Sequence, residues 1–576
     1  MTRMILRALA AGALLAAGIA TQAIAQRGAY LTELPRVAPV TARHGMVVAQ
    51  EKRAALIGVE VLKRGGNAVD AAVAVGFAMA VTYPRAGNIG GGGFMVIHLA
   101  GPNRQHVIDY REMAPAATTP EMYLDARGEP DPKKLRELGS AVGVPGTVAG
   151  LALAHQKYGS GKFTLGQLIS PSIEMARDGI PVEDDIADSL PSMQPMFARW
   201  PASAKIFLRR DGRPLAAGDR LVQTDLAQTL YAIARRGPRA FYEGPIAEKI
   251  AAAVRAAGGV MTADDLKNYR AVERTPLRGS YRGYDVISMP PPSSGGVIML
   301  QMLNVLEGYE LRANDPASLH LMIEAMKLAY ADRAQHLGDP DTVKVPVAGL
   351  SSKAYAKTLR DGIDPDKAKP SRDIKPGDPP PSGGDNTTHY SVVDRFGNAV
   401  SNTYTLNLSY GNGLVAAGTG VLLNNELDDF AAKPNAPNSF GLVGLNAANS
   451  PGPNKRPLSS MTPTIVLKDG KAMLVTGSPG GSRIITTVLQ MMLNVFDHKM
   501  PVAAAVAAPR LHHQWLPDEV WVEPGLPSAV LKNLEARGHK IVPRVWGTSA
   551  NSIQIGPKGL TGAADTRTRG ALAAGY

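Results

Sequence analysis

Asp385-Asn386-Thr387-Thr388-His389-Tyr390-Ser391-Val392-Val393-Asp394 decides how this chain is read, because two kinds of sequence meet there. Upstream, residues 363–386 hold Pro365, Pro370, Pro376, Pro379, Pro380 and Pro381, several charges and almost no apolar side chains. Such a composition cannot bury enough surface to offset the entropy of ordering, so it predicts a flexible linker. Downstream, residues 388–394 and 399–406 flank Arg395-Phe396-Gly397-Asn398 and read as a hairpin. Residues 464–467 and 472–476 flank Asp469-Gly470 and read as another. From Ser482 onward, apolar Ile484, Ile485, Val488, Leu489, Met492, Val495 and Phe496 fall at helical spacing.

Before the linker, residues 51–63 place Ala54, Ile57, Val61 and Leu62 near one helical face, with a stop at Gly65-Gly66. Residues 68–82, rich in Ala and Val and carrying Asp70, fall short of the roughly 20 residues a bilayer span needs and read as a buried core helix. The run Gly90 to Gly93 precedes two strand-like stretches, 94–99 and 105–111. A dinucleotide fingerprint needs a strand before its glycines and a helix after them; here the order is reversed, which argues against a nucleotide site. Residues 140–270 read mostly as helices, for example 146–158 and 225–236. Strands facing helices in both halves predict a layered α/β sandwich. No internal repeat is visible.

Composition narrows the chemistry. The 576 residues are 45% hydrophobic and 19% charged, close to an ordinary globular average. With no cysteine, disulfides, thiolate nucleophiles and cysteine-bound metals are excluded together. The 11 histidines are scattered and no His-Glu-x-x-His run occurs, so a zinc enzyme is disfavoured and no metal is expected. MTRMILR, an Ala/Leu/Gly-rich core and Ala23-Ile24-Ala25 before Gln26 read as a bacterial-type signal peptide over residues 1–25, predicting a periplasmic or secreted protein without a stable membrane span. The formal charge of +12 falls to about +10 once Arg3 and Arg7 are removed. No Lys/Arg block with interleaved aromatics accompanies it, so nucleic acid ranks behind an anionic membrane surface and anionic small substrates.

A linker that runs straight into a strand beginning with threonine suits one mechanism. An N-terminal threonine carries a hydroxyl nucleophile and, on its own α-amine, a base of pKa about 7.7–8.0. In the intact chain that amine is an amide, so a cut between Asn386 and Thr387 must come first. The Thr387 hydroxyl can attack the preceding carbonyl to form an ester that water opens. Blander readings exist: Thr-Thr pairs are usually structural, and Asn386-Thr387-Thr388 matches a glycosylation sequon, which the bacterial export signal sets aside.

Further motifs follow in order: Thr403-Tyr404-Thr405-Leu406-Asn407, Leu423-Asn424-Asn425-Glu426-Leu427-Asp428-Asp429-Phe430, Asn454-Lys455-Arg456-Pro457-Leu458-Ser459-Ser460-Met461 and Gly477-Ser478-Pro479-Gly480-Gly481-Ser482-Arg483. With the Thr387 segment, Gly65-Gly66-Asn67-Ala68, the glycine run and Asp109-Tyr110-Arg111-Glu112-Met113-Ala114-Pro115, they resemble the γ-glutamyltranspeptidase family of N-terminal nucleophile hydrolases over nearly all of the mature chain. The resemblance implies a four-layer αββα sandwich. It also implies one precursor cut into a large subunit, 26–386, and a small subunit, 387–576, that stay together as a heterodimer.

By position, it makes Thr387 the nucleophile, Thr405 the hydroxyl that orients it, and Gly480 and Gly481 the oxyanion hole. Glycines ahead of a predicted helix start suit that role independently, since they allow close backbone approach where negative charge is favoured. Arg111, Ser459 and Ser460 match the binders of the substrate α-carboxylate, for which a planar guanidinium fork is apt. Asn407, Glu426 and Asp429 match the binders of its α-ammonium. One departure stands out: the lid position that carries tyrosine in many bacterial members is Phe440, which can cover a pocket but cannot donate a hydroxyl hydrogen bond.

The implied activity is transfer of a γ-glutamyl group, from glutathione or a related amide, to water or to an amino acid or dipeptide, with no cofactor. A glutaryl-type β-lactam acylase would use the same fold and nucleophile. A periplasmic binding protein that has lost catalysis is a rival of another class, disfavoured by intact Thr387, Thr405 and Gly480-Gly481.

Overall fold

Met46–Ala49 shows how the layers arise, because its side chains alternate between two cores. Met46 and Val48 point into one apolar cluster, Val47 and Ala49 into another, as the two-residue period of a strand requires. Gly92–Leu99 repeats this, with Phe94 and Val96 on one side and Met95 and Ile97 on the other. Every one of these side chains is fully buried, so each strand is covered on both faces. The structure, a computed structural model, describes residues 36–379, 389–544 and 547–576. The expected signal peptide, Asn386 and Thr387 lie outside the described residues.

The first sheet has seven strands in the order Leu572–Gly575, Met46–Ala49, Tyr390–Val393, Ala399–Thr405, Gly92–Leu99, Arg104–Tyr110 and Val272–Arg274. The second also has seven: Val40–Ala42, Gly559–Ala563, Ser552–Gly556, Lys471–Thr476, Thr464–Lys468, Tyr284–Ser288 and Leu277–Tyr281. All neighbours in both are antiparallel. Phe94, Val96, Val393, Met461, Ile465, Val475 and Ile553 fill the space between the sheets. Helices Lys52–Lys63, Ala68–Thr82, Thr147–Tyr158 and Leu165–Asp178 cover the outer face of the first sheet, and Gly295–Leu306, Pro316–His336 and Arg483–Phe496 that of the second. The result is an αββα sandwich.

Local sequence explains the best-defined helix. Ala68–Thr82 is buried along its whole length, so it is apolar all round rather than on one stripe. It starts at Asn67, whose side chain accepts from the Val69 and Asp70 amides, while Asp70 accepts from the Asn67 amide. Replacing such a cap by alanine costs about 1 kcal/mol. The carboxylate within this apolar helix is thus accounted for by capping. The glycine run just beyond has a steric reason: a Cβ on Gly91 would lie 1.9 Å from the Thr405 carbonyl oxygen. These glycines let two chain segments touch.

The expected flexible linker needs correction over its described part. Residues 364–377 are held in place by polar contacts: His320 Nε2 contacts the Asp364 carbonyl, Ala368 donates to Arg537, and the Ser371 amide donates to Asp518. Trp515 Nε1 donates to the Ser371 carbonyl, and the Gly377 amide donates to Asp332. The order comes mainly from hydrogen bonds between its backbone and distant residues, with Ile374 buried in the core beside the second sheet. Only apolar burial is visible in composition.

Candidate active site

Thr405, at the end of its strand in the middle of the first sheet, opens onto a cavity of about 320 Å3. Its Oγ1 accepts the Asn407 amide at 2.7 Å, which holds Asn407 in a turn with φ of +73°. The Asn407 side chain is tied in turn to the Asn425 carbonyl. Opposite, Pro479-Gly480-Gly481 leads into helix Arg483–Phe496. Gly480 and Gly481 have φ of +129° and +58°, values that L side chains rarely adopt. Their carbonyls accept the Arg483 and Ile484 amides, while their own amides donate to no other described residue. Two free amides at a helix N-terminus beside a cavity are poised for developing negative charge.

Phe440 covers this corner. A Cβ on Gly481 would meet the Phe440 ring at 2.2 Å, so only glycine lets the ring lie there. The Phe440 carbonyl accepts from Gln514, and the Asn438 side chain accepts the Phe440 and Leu442 amides, so the segment is fastened at both ends of the ring.

The cavity wall also carries Asn407, Glu426, Asp429, Ser459 and Ser460, so most of the residues singled out in the sequence converge on one place. Among the described ones Arg111 is the exception, because it is fully buried behind the wall. Its Nη2 lies 2.6 Å from Asp429 Oδ2, its Nη1 pairs with Glu426, and Nε donates to the Pro457 carbonyl. The group expected to bind the substrate carboxylate is therefore engaged by two acids expected to bind the substrate ammonium. Burial pushes the Asp429 carboxyl up to about 6 even with Arg111 beside it, and raises Glu426 well above the usual carboxylate range.

The sequence reading assigned no role to Glu112, although it sits next to Arg111. It is fully buried, 3.8 Å from Arg111 Nη1, and burial pushes its carboxyl up to about 7. An acid beside the arginine inside a recognised motif was the available signal. Gln50, Arg85, Asp185 and Arg567, which line the rest of the cavity, come from segments whose sequence gives no hint of convergence.

The family model described as Gamma-glutamyltranspeptidase matches residues 54–575. The chain belongs to the γ-glutamyltranspeptidase family. A curated relative, the glutathione hydrolase proenzyme of Escherichia coli K12, is 53% identical over 542 residues, covering 93% of each chain. The solved γ-glutamyltranspeptidase of Helicobacter pylori is 44% identical with a TM-score of 0.57, covering 59% of this chain and 97% of that one. A cephalosporin acylase from Bacillus halodurans is 28% identical with a TM-score of 0.83, covering 95% and 98%. The αββα sandwich described above is thus the N-terminal nucleophile hydrolase fold of this family.

Proposed function

We propose that this family member is a self-processing γ-glutamyltransferase and glutathione hydrolase. The observation that carries the reading is one cavity with two kinds of wall: the Gly480 and Gly481 amides, unpaired among the described residues, on one side, and Glu426 and Asp429 backed by Arg111 on the other. A γ-glutamyl group carries an α-carboxylate and an α-ammonium at one end and the scissile carbonyl at the other. The charged cluster suits the first end and the amides suit the second.

In this reading Thr387 first attacks the Asn386 carbonyl, and water opens the resulting ester to leave Thr387 with a free amine. That amine takes the hydroxyl proton as Thr387 attacks the γ-carbonyl of glutathione or another γ-glutamyl amide, and Gly480 and Gly481 take the oxyanion. Thr405 orients the nucleophile. The amine side departs with the proton, and water or an amino acid or dipeptide then accepts the acyl group. Arg111, Ser459 and Ser460 hold the α-carboxylate; Asn407, Glu426 and Asp429 hold the α-ammonium; Phe440 closes the lid. Residues 26–386 and 387–576 form the two subunits after residues 1–25 leave on export. Among the described residues no helix is long and apolar enough to cross a membrane.

One denaturing gel of the purified protein tests processing: two bands are expected, and a stable single band defeats the mechanism. A pH series tests the base. Activity is expected to rise through about pH 7–9 as the Thr387 amine deprotonates. A plateau already reached at pH 6 points to another base.

A glutaryl-type acylase is the second reading, favoured by the likeness to the B. halodurans cephalosporin acylase. The two substrates differ at the α-ammonium, so Asp429 separates the readings.

A further inference from the structure

Around Arg111 the charges do not balance. One guanidinium faces three buried carboxylates, Glu112, Glu426 and Asp429, at 0%, 1% and 6% exposure. Asp429 is satisfied by Arg111 and by the Asn438 side chain at 3.3 Å. Glu112 and Glu426 are not. Among the described residues, and apart from the Glu112 amide itself, no donor reaches either oxygen of Glu112 or Oε2 of Glu426. Both carboxyl groups instead converge on one nitrogen, Arg111 Nη1, with which Glu426 pairs and from which Glu112 Oε2 lies 3.8 Å away. Two buried ionised carboxylates drawn to one cation repel each other, whereas a carboxyl group beside a carboxylate does not.

We propose that Glu112 and Glu426 share one proton in the empty site, and that docking of a substrate α-ammonium on Glu426 expels this proton to solvent. Glu112 is then a positioning residue that acts through Glu426. The inference rests on the function proposed above, which places the ammonium there. The incoming N–H donors replace the shared proton as the group that satisfies both oxygens. A ligand lacking the ammonium gives the pair nothing in exchange, so it leaves the proton in place.

The surroundings support a single exchangeable proton. On the Glu112 side, Tyr110, Tyr242 and Tyr269 are buried phenols held neutral by their burial. On the Glu426 side, Asp428 is paired with Arg136 at 3.0 Å. From helix Pro316–His336, Arg333 adds positive charge near Asp429 and donates to Ser294. Burial raises both glutamates above the usual carboxylate range, the direction that favours a proton on the pair.

Titration calorimetry of L-glutamate into the processed enzyme at pH 7, in phosphate and in Tris, reads the proton directly. The apparent enthalpies are expected to differ by the equivalent of about one proton released per glutamate bound. Glutarate is expected to release none. Because the raised carboxyl groups lose their proton as pH rises, glutamate affinity should increase by up to about tenfold per pH unit until the pair has titrated. Glu112→Gln supplies a permanent donor to Glu426, so release should vanish while binding persists. Should that variant fail to fold, the pH dependence of glutamate affinity in the unmodified enzyme, set against that of glutarate, provides the second readout. Glutamate binding with equal enthalpy in both buffers overturns the shared proton and leaves the proposed function standing. No glutamate binding at all overturns both.

Discussion

Thr387→Ala is expected to remain one uncut chain and to lose turnover, with kcat falling by on the order of 10^4–10^6, the scale on which removal of a nucleophile acts. Both losses have one cause in the proposed mechanism: the same hydroxyl opens the Asn386–Thr387 bond and later carries the acyl group. A denaturing gel and a γ-glutamyl anilide assay read the two effects separately. Thr387→Ser retains hydroxyl and amine and serves as the control that still cuts itself. If Thr387→Ala yields the same two bands as the unmodified protein, another group performs the cut and Thr387 loses its assignment.

Asp429→Asn is expected to lower γ-glutamyl kcat/KM by about ten- to a hundredfold while sparing or improving glutaryl turnover. A charge-assisted hydrogen bond contributes roughly 1.5–3 kcal/mol, which sets that range. Glutaryl and γ-glutamyl groups share the distal carboxylate and differ in the α-ammonium, and only the glutamyl substrate neutralises an acid at this position. The geometry adds a second effect. Asp429 Oδ2 holds Arg111 Nη2 at 2.6 Å, so the substitution also removes one of two acids that compete with a substrate carboxylate for the guanidinium. Comparing the two anilides on both proteins checks the prediction. An unmodified enzyme that already prefers the glutaryl anilide decides for the acylase.

Much of this was legible in the residues because it follows from repeating patterns. The expected helix over 68–82 coincides with Ala68–Thr82, and the two expected hairpins appear as Tyr390–Val393 with Ala399–Thr405 and Thr464–Lys468 with Lys471–Thr476. Period-two burial and turn glycines are local properties, so they survive translation from sequence to fold. The site was legible through its motifs, yet its internal electrostatics were not. Arg111 appeared as a free fork for a ligand, and the structure engages it with Glu426 and Asp429 from more than three hundred positions away. Nothing in spacing reveals which acids will surround a buried cation. The same limit explains residues 364–377, which the composition released and which Asp332, Trp515 and Asp518 hold.

The interleaving of the sheets reaches beyond catalysis to how a cut molecule behaves. Met46–Ala49 lies between Leu572–Gly575 and Tyr390–Val393, Ala399–Thr405 pairs with Gly92–Leu99, and in the other sheet Thr464–Lys468 pairs with Tyr284–Ser288. A nick between residues 386 and 387 therefore divides the covalent chain without dividing any hydrophobic core. Neither fragment owns a complete sheet, so the two cannot drift apart and re-pair with counterparts from other molecules short of global unfolding. Isotopically labelled and unlabelled nicked protein, mixed and left together, should keep their original partners.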